Sequence, residues 1–174
     1  MTASHDPARV YNVLFLCTGN SARSILAEAV LARLGPPRFR SFSAGSQPKQ
    51  ALHPTTLETL SRLGYETRGL RSKSWDEFAA PGSPKLDFIF TVCDNAEEAA
   101  GEACPIWPGR PVSAHWGVCD PASFRGSPAQ TSAFFEKIHD QLAAKIEALV
   151  GLDPSSMSAR ELSARLEEIG RSCE

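Results

Sequence analysis

Two short, largely apolar runs punctuate the chain, Val10 to Leu16 and Leu86 to Val92. Each is too short for a typical helix, and their β-branched and aromatic residues are those of strands covered on both faces. Phe39 to Ala44 and Val112 to Trp116 read as two further strands. The intervals carry a helical period instead. Ile25, Leu26, Ala29, Val30 and Leu34 share a predicted inward face, stopped by Gly35-Pro36-Pro37. Pro54 to Leu63 reads as a short helix with Leu57, Leu60 and Leu63 inward and Gly64 at its C-cap. Asp94 to Ala103 is an Ala/Glu stretch of good helix propensity. Phe134, Phe135, Ile138, Leu142, Ile146 and Leu149 mark a long amphipathic helix ending at Gly151. Strands alternating with helices specify an α/β fold: a four-stranded parallel sheet flanked by helices on both faces.

At 174 residues the chain has room for one domain, placed at 10–151. Residues 1–9 are polar and read as a flexible lead-in. In 152–174, Ser158 and Glu161 have capping-box spacing ahead of a Leu162, Leu166 and Ile169 stripe, which predicts an extra, weakly docked helical appendage. Lys and Arg total 18 against 20 Asp and Glu, a net charge of −2 without a basic run, so nucleic acid is a poor partner. No apolar run approaches the ~20 residues of a membrane span. The start, MTASHDPARVYN, has no basic segment leading into an apolar one, so no secretory leader is expected and the compartment is read as the cytoplasm. Five cysteines, an odd number and none in a C-x-x-C pair, argue against a disulfide scaffold or a zinc ribbon.

Ligands of parallel sheets collect beyond the strand C-termini. Cys17, Cys93 and the residues after Trp116 all follow directly on predicted strands, so they converge on one rim. Cys17-Thr18-Gly19-Asn20-Ser21-Ala22-Arg23-Ser24 sits where the first strand gives way to a helix. Gly19 and Asn20 tolerate unusual backbone angles, so this loop can aim successive N–H groups into one concavity at a helix N-terminus. Such a nest holds a tetrahedral dianion, and Arg23 adds a planar fork for two of its oxygens. The same positive field favours a thiolate at Cys17, to which the Ser24 hydroxyl can donate.

The run VLFLCTGNSARS resembles the active-site loop of the low-molecular-weight protein-tyrosine phosphatase family, and within it the thiol-dependent arsenate reductases. The likeness spans roughly residues 10 to 150, through FSAG (Phe42–Gly45), TVCDNA (Thr91–Ala96), CPIWPG (Cys104–Gly109) and AHWGVCDPA (Ala114–Ala122). It implies the same fold and assigns Asp120 as the general acid. It also implies a thiol relay: Cys17 forms an adduct with arsenate, Cys93 attacks Cys17 and releases arsenite, and Cys104 carries the disulfide to a thioredoxin or to glutaredoxin with glutathione. No metal or other cofactor is implied. Phosphate or sulfate fits the same loop. Glu28 and Ser43 fall where relatives buttress the loop, which Asn20 braces from inside.

Spacing adds a condition. If one helix ran through to Cys104, eleven residues at ~1.5 Å each would part it from Cys93 by ~16 Å, whereas a disulfide spans no more than about 7 Å between Cα atoms. A 93–104 bridge therefore requires this segment to rearrange. Cys119 has no assigned role and reads as a bystander or a competing thiol, and Cys173 as a tail thiol. His115 and Trp116 are expected to shape the acid loop, and His5, His53 and His139 suggest no metal site. Two other functions remain open: a phosphotyrosine phosphatase, and a non-catalytic oxyanion binder. Ala122-Ser123 after the Asp-Pro pair, where tyrosine phosphatases of the family carry aromatic residues, and Ala22, where they tend to carry a second cysteine, weigh against the phosphatase.

Overall fold

The computed structural model describes residues 9–93 and 107–172. The expected helix at 94–103, Cys104, Cys173 and residues 1–8 of the expected lead-in lie outside them.

Strand β1 (Tyr11–Cys17) is central, paired in parallel with β2 (Phe39–Gly45) on one side and β3 (Phe88–Thr91) on the other. Strand β4 (Val112–His115) completes the parallel order β2-β1-β3-β4. Side chains alternate between faces along a strand. Val13, Phe15 and Cys17 of β1 and Phe88 and Phe90 of β3 enter one core cluster. Leu14, Leu16 and Ile89 enter another, with Phe78 and Leu86. Both faces of β1 are covered, which explains its apolar run from Val13 to Cys17. β1 extends one residue past the predicted end because Cys17 still pairs with Gly45.

Helices α1 (Arg23–Leu34), α2 (Pro54–Arg62), α4 (Pro128–Val150) and α5 (Ala159–Arg171) supply the larger cluster, and the one-turn α3 (Asp76–Ala79) the smaller. Two inward assignments are corrected. Leu34 stays 36% exposed: nine residues on from Ile25, it lies half a turn round the helix, and Leu31 is buried in its place. Leu57 is 37% exposed, whereas Thr56, Thr59 and Leu60 face in. The Thr56 hydroxyl donates to the Ser21 carbonyl at 2.9 Å, and this bond sets the rotation of α2. Helix α4 starts six residues before Phe134, at a capping box formed by Ser127 and Gln130.

The C-terminal helix is docked far more firmly than its polar composition suggests. Leu162, Leu166 and Ile169 are buried in the main core, and the Leu166 carbonyl accepts from the Trp116 indole at 2.9 Å. No described helix is long and apolar enough to cross a membrane.

Phe90 is fully buried and stacks on Trp116 with ring centroids 3.8 Å apart. Phe90→Ala is expected to lower the unfolding free energy by about 3–5 kcal/mol, measured by urea denaturation.

Candidate active site

Beyond the C-terminal ends of β1 and β3, the chain from Cys17 to Arg23 curls around an open cavity of about 350 Å³. Its shape follows from where the carbonyls point. Cys17, Thr18 and Gly19 turn theirs outward, to accept from the backbone N–H of Ser46, Gln47 and Lys49 at 3.4, 2.9 and 3.0 Å. The Ser21 carbonyl accepts from His53 N–H at 3.0 Å as well as from Thr56. A loop whose carbonyls are turned outward presents its amides to the inside. Close approach of the two segments requires Gly45, where a Cβ would sit 2.5 Å from the Thr18 carbonyl oxygen.

Asn20 ties the loop together from within. Its backbone is left-handed, at φ 46°, which Asn tolerates. Lys73 N–H donates to its Oδ1 at 2.9 Å, and this orients the amide. The Nδ2 group then donates to Ser24 Oγ at 2.8 Å and Ser43 Oγ at 3.0 Å. Ser43 in turn donates to Glu28 Oε2 at 2.9 Å. The Ser24 hydroxyl lies 2.8 Å from Cys17 Sγ, and toward a thiolate there it is the donor. Asn20 N–H donates to the same sulfur at 3.1 Å. The expected buttress of Glu28, Ser43 and Asn20 is thus one continuous hydrogen-bond path to the thiol.

Sequence reasoning missed Lys73 in this layer. It is 8% exposed, and its ammonium donates to the Arg71 carbonyl at 2.8 Å and reaches Ser43 Oγ at 3.5 Å. Burial pushes the Lys73 ammonium below the usual lysine range, opposed by Glu28. Burial likewise pushes the Glu28 carboxyl up, opposed by Lys73. Each offsets part of the other's desolvation.

Helix α1 begins at Arg23 with Ala22 as N-cap, no side-chain cap and no acidic residue in its first turn. At the N-cap no side-chain oxygen takes the place that an anion can occupy at a helix N-terminus. Arg23 is only 6% exposed and is held against the loop after β4: Nη1 donates to the Val118 carbonyl at 3.4 Å, and Nε is 3.8 Å from Asp120 Oδ1. Asp120 lines the cavity with Cys17 and caps the 3-10 turn Pro121–Ser123, accepting from Ala122 N–H at 3.0 Å. A thiol, an arginine and a carboxyl group around one anion-sized space can attack a tetrahedral oxyanion, hold it and protonate the departing oxygen.

Gln47 and Lys49 complete the cavity lining and were not anticipated. They follow the FSAG strand directly, so the rule that placed Cys17 on the rim applied to them too. Cys93 is buried beside the cradle, its sulfur 4.0 Å from Thr18 Oγ1. Burial and then the negative charge of Cys17 push the Cys93 thiol up, while Arg23 and bonds from Thr18 pull it down. Cys119 is exposed beside Asp120. The His115 ring bonds Thr91 Oγ1 at 2.9 Å through Nδ1 and crowds Gly117, so it braces the turn into the acid loop. His53 caps α2, its Nδ1 accepting from Thr55 N–H. Burial and then Lys49 hold its imidazole below the usual histidine range, against the pull of Asp120 and Glu58.

Asn20→Ala removes three side-chain hydrogen bonds and leaves buried groups without partners. It is expected to cost about 1–3 kcal/mol of stability and to weaken the rise in Tm that inorganic phosphate gives by occupying the cradle. Thermal unfolding across a phosphate titration checks both. An unchanged phosphate response would separate Asn20 from the shape of the loop.

The sequence and fold have known counterparts. An arsenate reductase of Bacillus subtilis is 27% identical over 135 residues, 78% of this chain and 91% of the relative. The crystal structure of an arsenate reductase from Archaeoglobus fulgidus superposes with a TM-score of 0.63 at 23% identity, covering 80% of this chain and 99% of that one. A thioredoxin-dependent arsenate reductase from Corynebacterium glutamicum superposes with a TM-score of 0.58 at 23% identity, covering 85% of this chain and 64% of that one. The low molecular weight phosphotyrosine protein phosphatase family matches residues 12–163. With that match spanning most of its length, and a thiol cradle where the first strand meets the first helix, the chain belongs to the low molecular weight phosphotyrosine protein phosphatase family.

Proposed function

We propose that this protein reduces arsenate to arsenite by a cysteine relay. Arsenate sits in the cradle on the amides of Thr18 to Ser24 and the Arg23 guanidinium. The Cys17 thiolate attacks arsenic, and Asp120 protonates the departing oxygen, which leaves as water. The Cys93 thiolate then attacks Cys17 Sγ. A sulfur–sulfur bond forms, the electron pair of the sulfur–arsenic bond passes to arsenic, and As(V) departs as As(III). Two thiolates have supplied two electrons. Cys104 attacks Cys93 and frees Cys17, and a thioredoxin, or glutaredoxin with glutathione, reduces the 93–104 disulfide. Such a cycle belongs in a reducing compartment, the cytoplasm.

The observation that carries this reading is the second thiol beside the nest: Cys93 Sγ lies 4.0 Å from Thr18 Oγ1. Hydrolysis needs only Cys17, Arg23 and Asp120, with water to finish. The names of the relatives agree, and thioredoxin dependence in the Corynebacterium glutamicum protein supports that class of donor. The second reading, a phosphotyrosine phosphatase acting through a phosphocysteine, is favoured by the family itself. Against it, no aromatic ring is among the described residues lining the cavity; Gln47 and Lys49 stand there instead.

Cys17→Ser is expected to abolish both arsenate reduction and aryl-phosphate hydrolysis. Cys93→Ala should stop reductive turnover and spare hydrolysis. Full arsenate turnover by Cys93→Ala with either donor would overturn the relay, as would mass mapping of arsenate-treated protein without a 17–93 or a 93–104 disulfide. Because the Cys93 thiol is raised, its thiolate fraction at neutral pH is small and grows about tenfold per pH unit below the pKa. Arsenate-triggered thiol loss in a single turnover should therefore accelerate between about pH 7 and 9, measured by quenched thiol titration.

A further inference from the structure

We propose that the C-terminal helix α5 is the positioning element of the proton donor, fixing the loop that sets Asp120 at the rim of the cradle. This rests on the assignment of Asp120 as the acid.

Four residues separate the end of β4 from Asp120, and the first of them, Trp116, is fully buried. Its indole stacks on Phe90, and its Nε1–H donates to the Leu166 carbonyl of α5 at 2.9 Å. One turn on, Gly170 brings the helix backbone onto the strand. A Cβ there would lie 2.3 Å from the His115 carbonyl oxygen and 2.8 Å from Trp116 Cδ1, so no larger residue allows this approach without a shift.

The far end of the helix is fastened by a buried cation. Lys145 of α4 is 1% exposed, and its ammonium donates to the carbonyls of Ile169, Gly170 and Ser172 at 3.3, 2.9 and 2.6 Å. A helix C-terminus favours positive charge, and the ammonium gives donors to the carbonyls at this one. So expensive a group to bury fixes where the helix ends.

From Trp116 the constraint runs to the active site. Trp116 N–H and Val118 N–H donate to the Thr91 and Val92 carbonyls at 2.7 and 3.3 Å. The Val118 carbonyl accepts from Arg23 at 3.4 Å, and Asp120 lies 3.8 Å from the same guanidinium. Lys145, α5, Trp116 and the 117–120 segment thus form one packed line ending at the carboxyl group. Misplacement of a catalytic group by an ångström is enough to slow proton transfer. The family match stops at residue 163, inside α5, so Gly170 and the carbonyls of Ile169, Gly170 and Ser172 lie beyond it, while Lys145 itself lies within it.

The test uses full-length Gly170→Ala and Lys145→Met, with Asp120→Asn as comparator, on two aryl phosphates. Phenyl phosphate has a poor leaving group that needs a proton; 2,4-dinitrophenyl phosphate does not. Both positioning variants are expected to lose about tenfold or more in kcat/KM on phenyl phosphate, part of what a general acid contributes to departure of the leaving group, and to stay within about twofold in kcat/KM on the dinitrophenyl ester. Hydrogen exchange in Lys145→Met should speed up at 117–120 and not at 18–22. If folded variants lose rate equally on both esters, or on neither, the helix contributes stability alone and the inference falls. If Asp120→Asn itself shows no difference between the esters, the acid assignment fails instead.

Discussion

The site depends on a backbone constraint: the carbonyls of the cradle are bonded outward, to the segment that follows β2. Ser46, Gln47, Lys49 and His53 supply these donors from their main chain, so cradle and clasp hold each other irrespective of most side chains. A concavity lined by amides is otherwise unstable, because like partial charges converge there and no ordinary capping group relieves them. The outward bonds, the Gly45 approach and the left-handed Asn20 together oppose that repulsion.

Behind this lies a polar layer that a small domain would normally avoid. Glu28, Ser43, Lys73, Asn20 and Ser24 form a connected path ending at sulfur. Buried networks are costly when half satisfied and rigidifying when complete. Here the Lys73 main-chain N–H orients the Asn20 amide, which donates to both serines. The path ends at the Ser24 hydroxyl, 2.8 Å from Cys17 Sγ.

The sequence disclosed features that depend on local chemistry. The strand-to-helix junction around Cys17, the two apolar runs and the caps at Ser158 and Gly151 are all local, and the structure contains each. Features set by distant contacts were less visible. Leu57 looked like a core residue until Thr56 was found bonded to the cradle. Lys73 stood in a mixed stretch with no period to mark it. The docking of the tail rests on Gly170, a poor helix former, and on Lys145, a residue type that normally stays at the surface. Cys93 was placed on the rim by strand order, whereas its depth came only from the packing around it.

The helix that opens at Arg23 without a side-chain cap has a chemical corollary. Its first-turn amides answer to charge and tetrahedral form, which arsenate shares with the far more abundant phosphate. A receptor of this kind is crowded by the wrong guest. On the reductive reading, discrimination falls to a later stage: pentavalent phosphorus does not take electrons from a neighbouring sulfur, and pentavalent arsenic does. Selectivity would then be a matter of oxidation potential, exercised after admission.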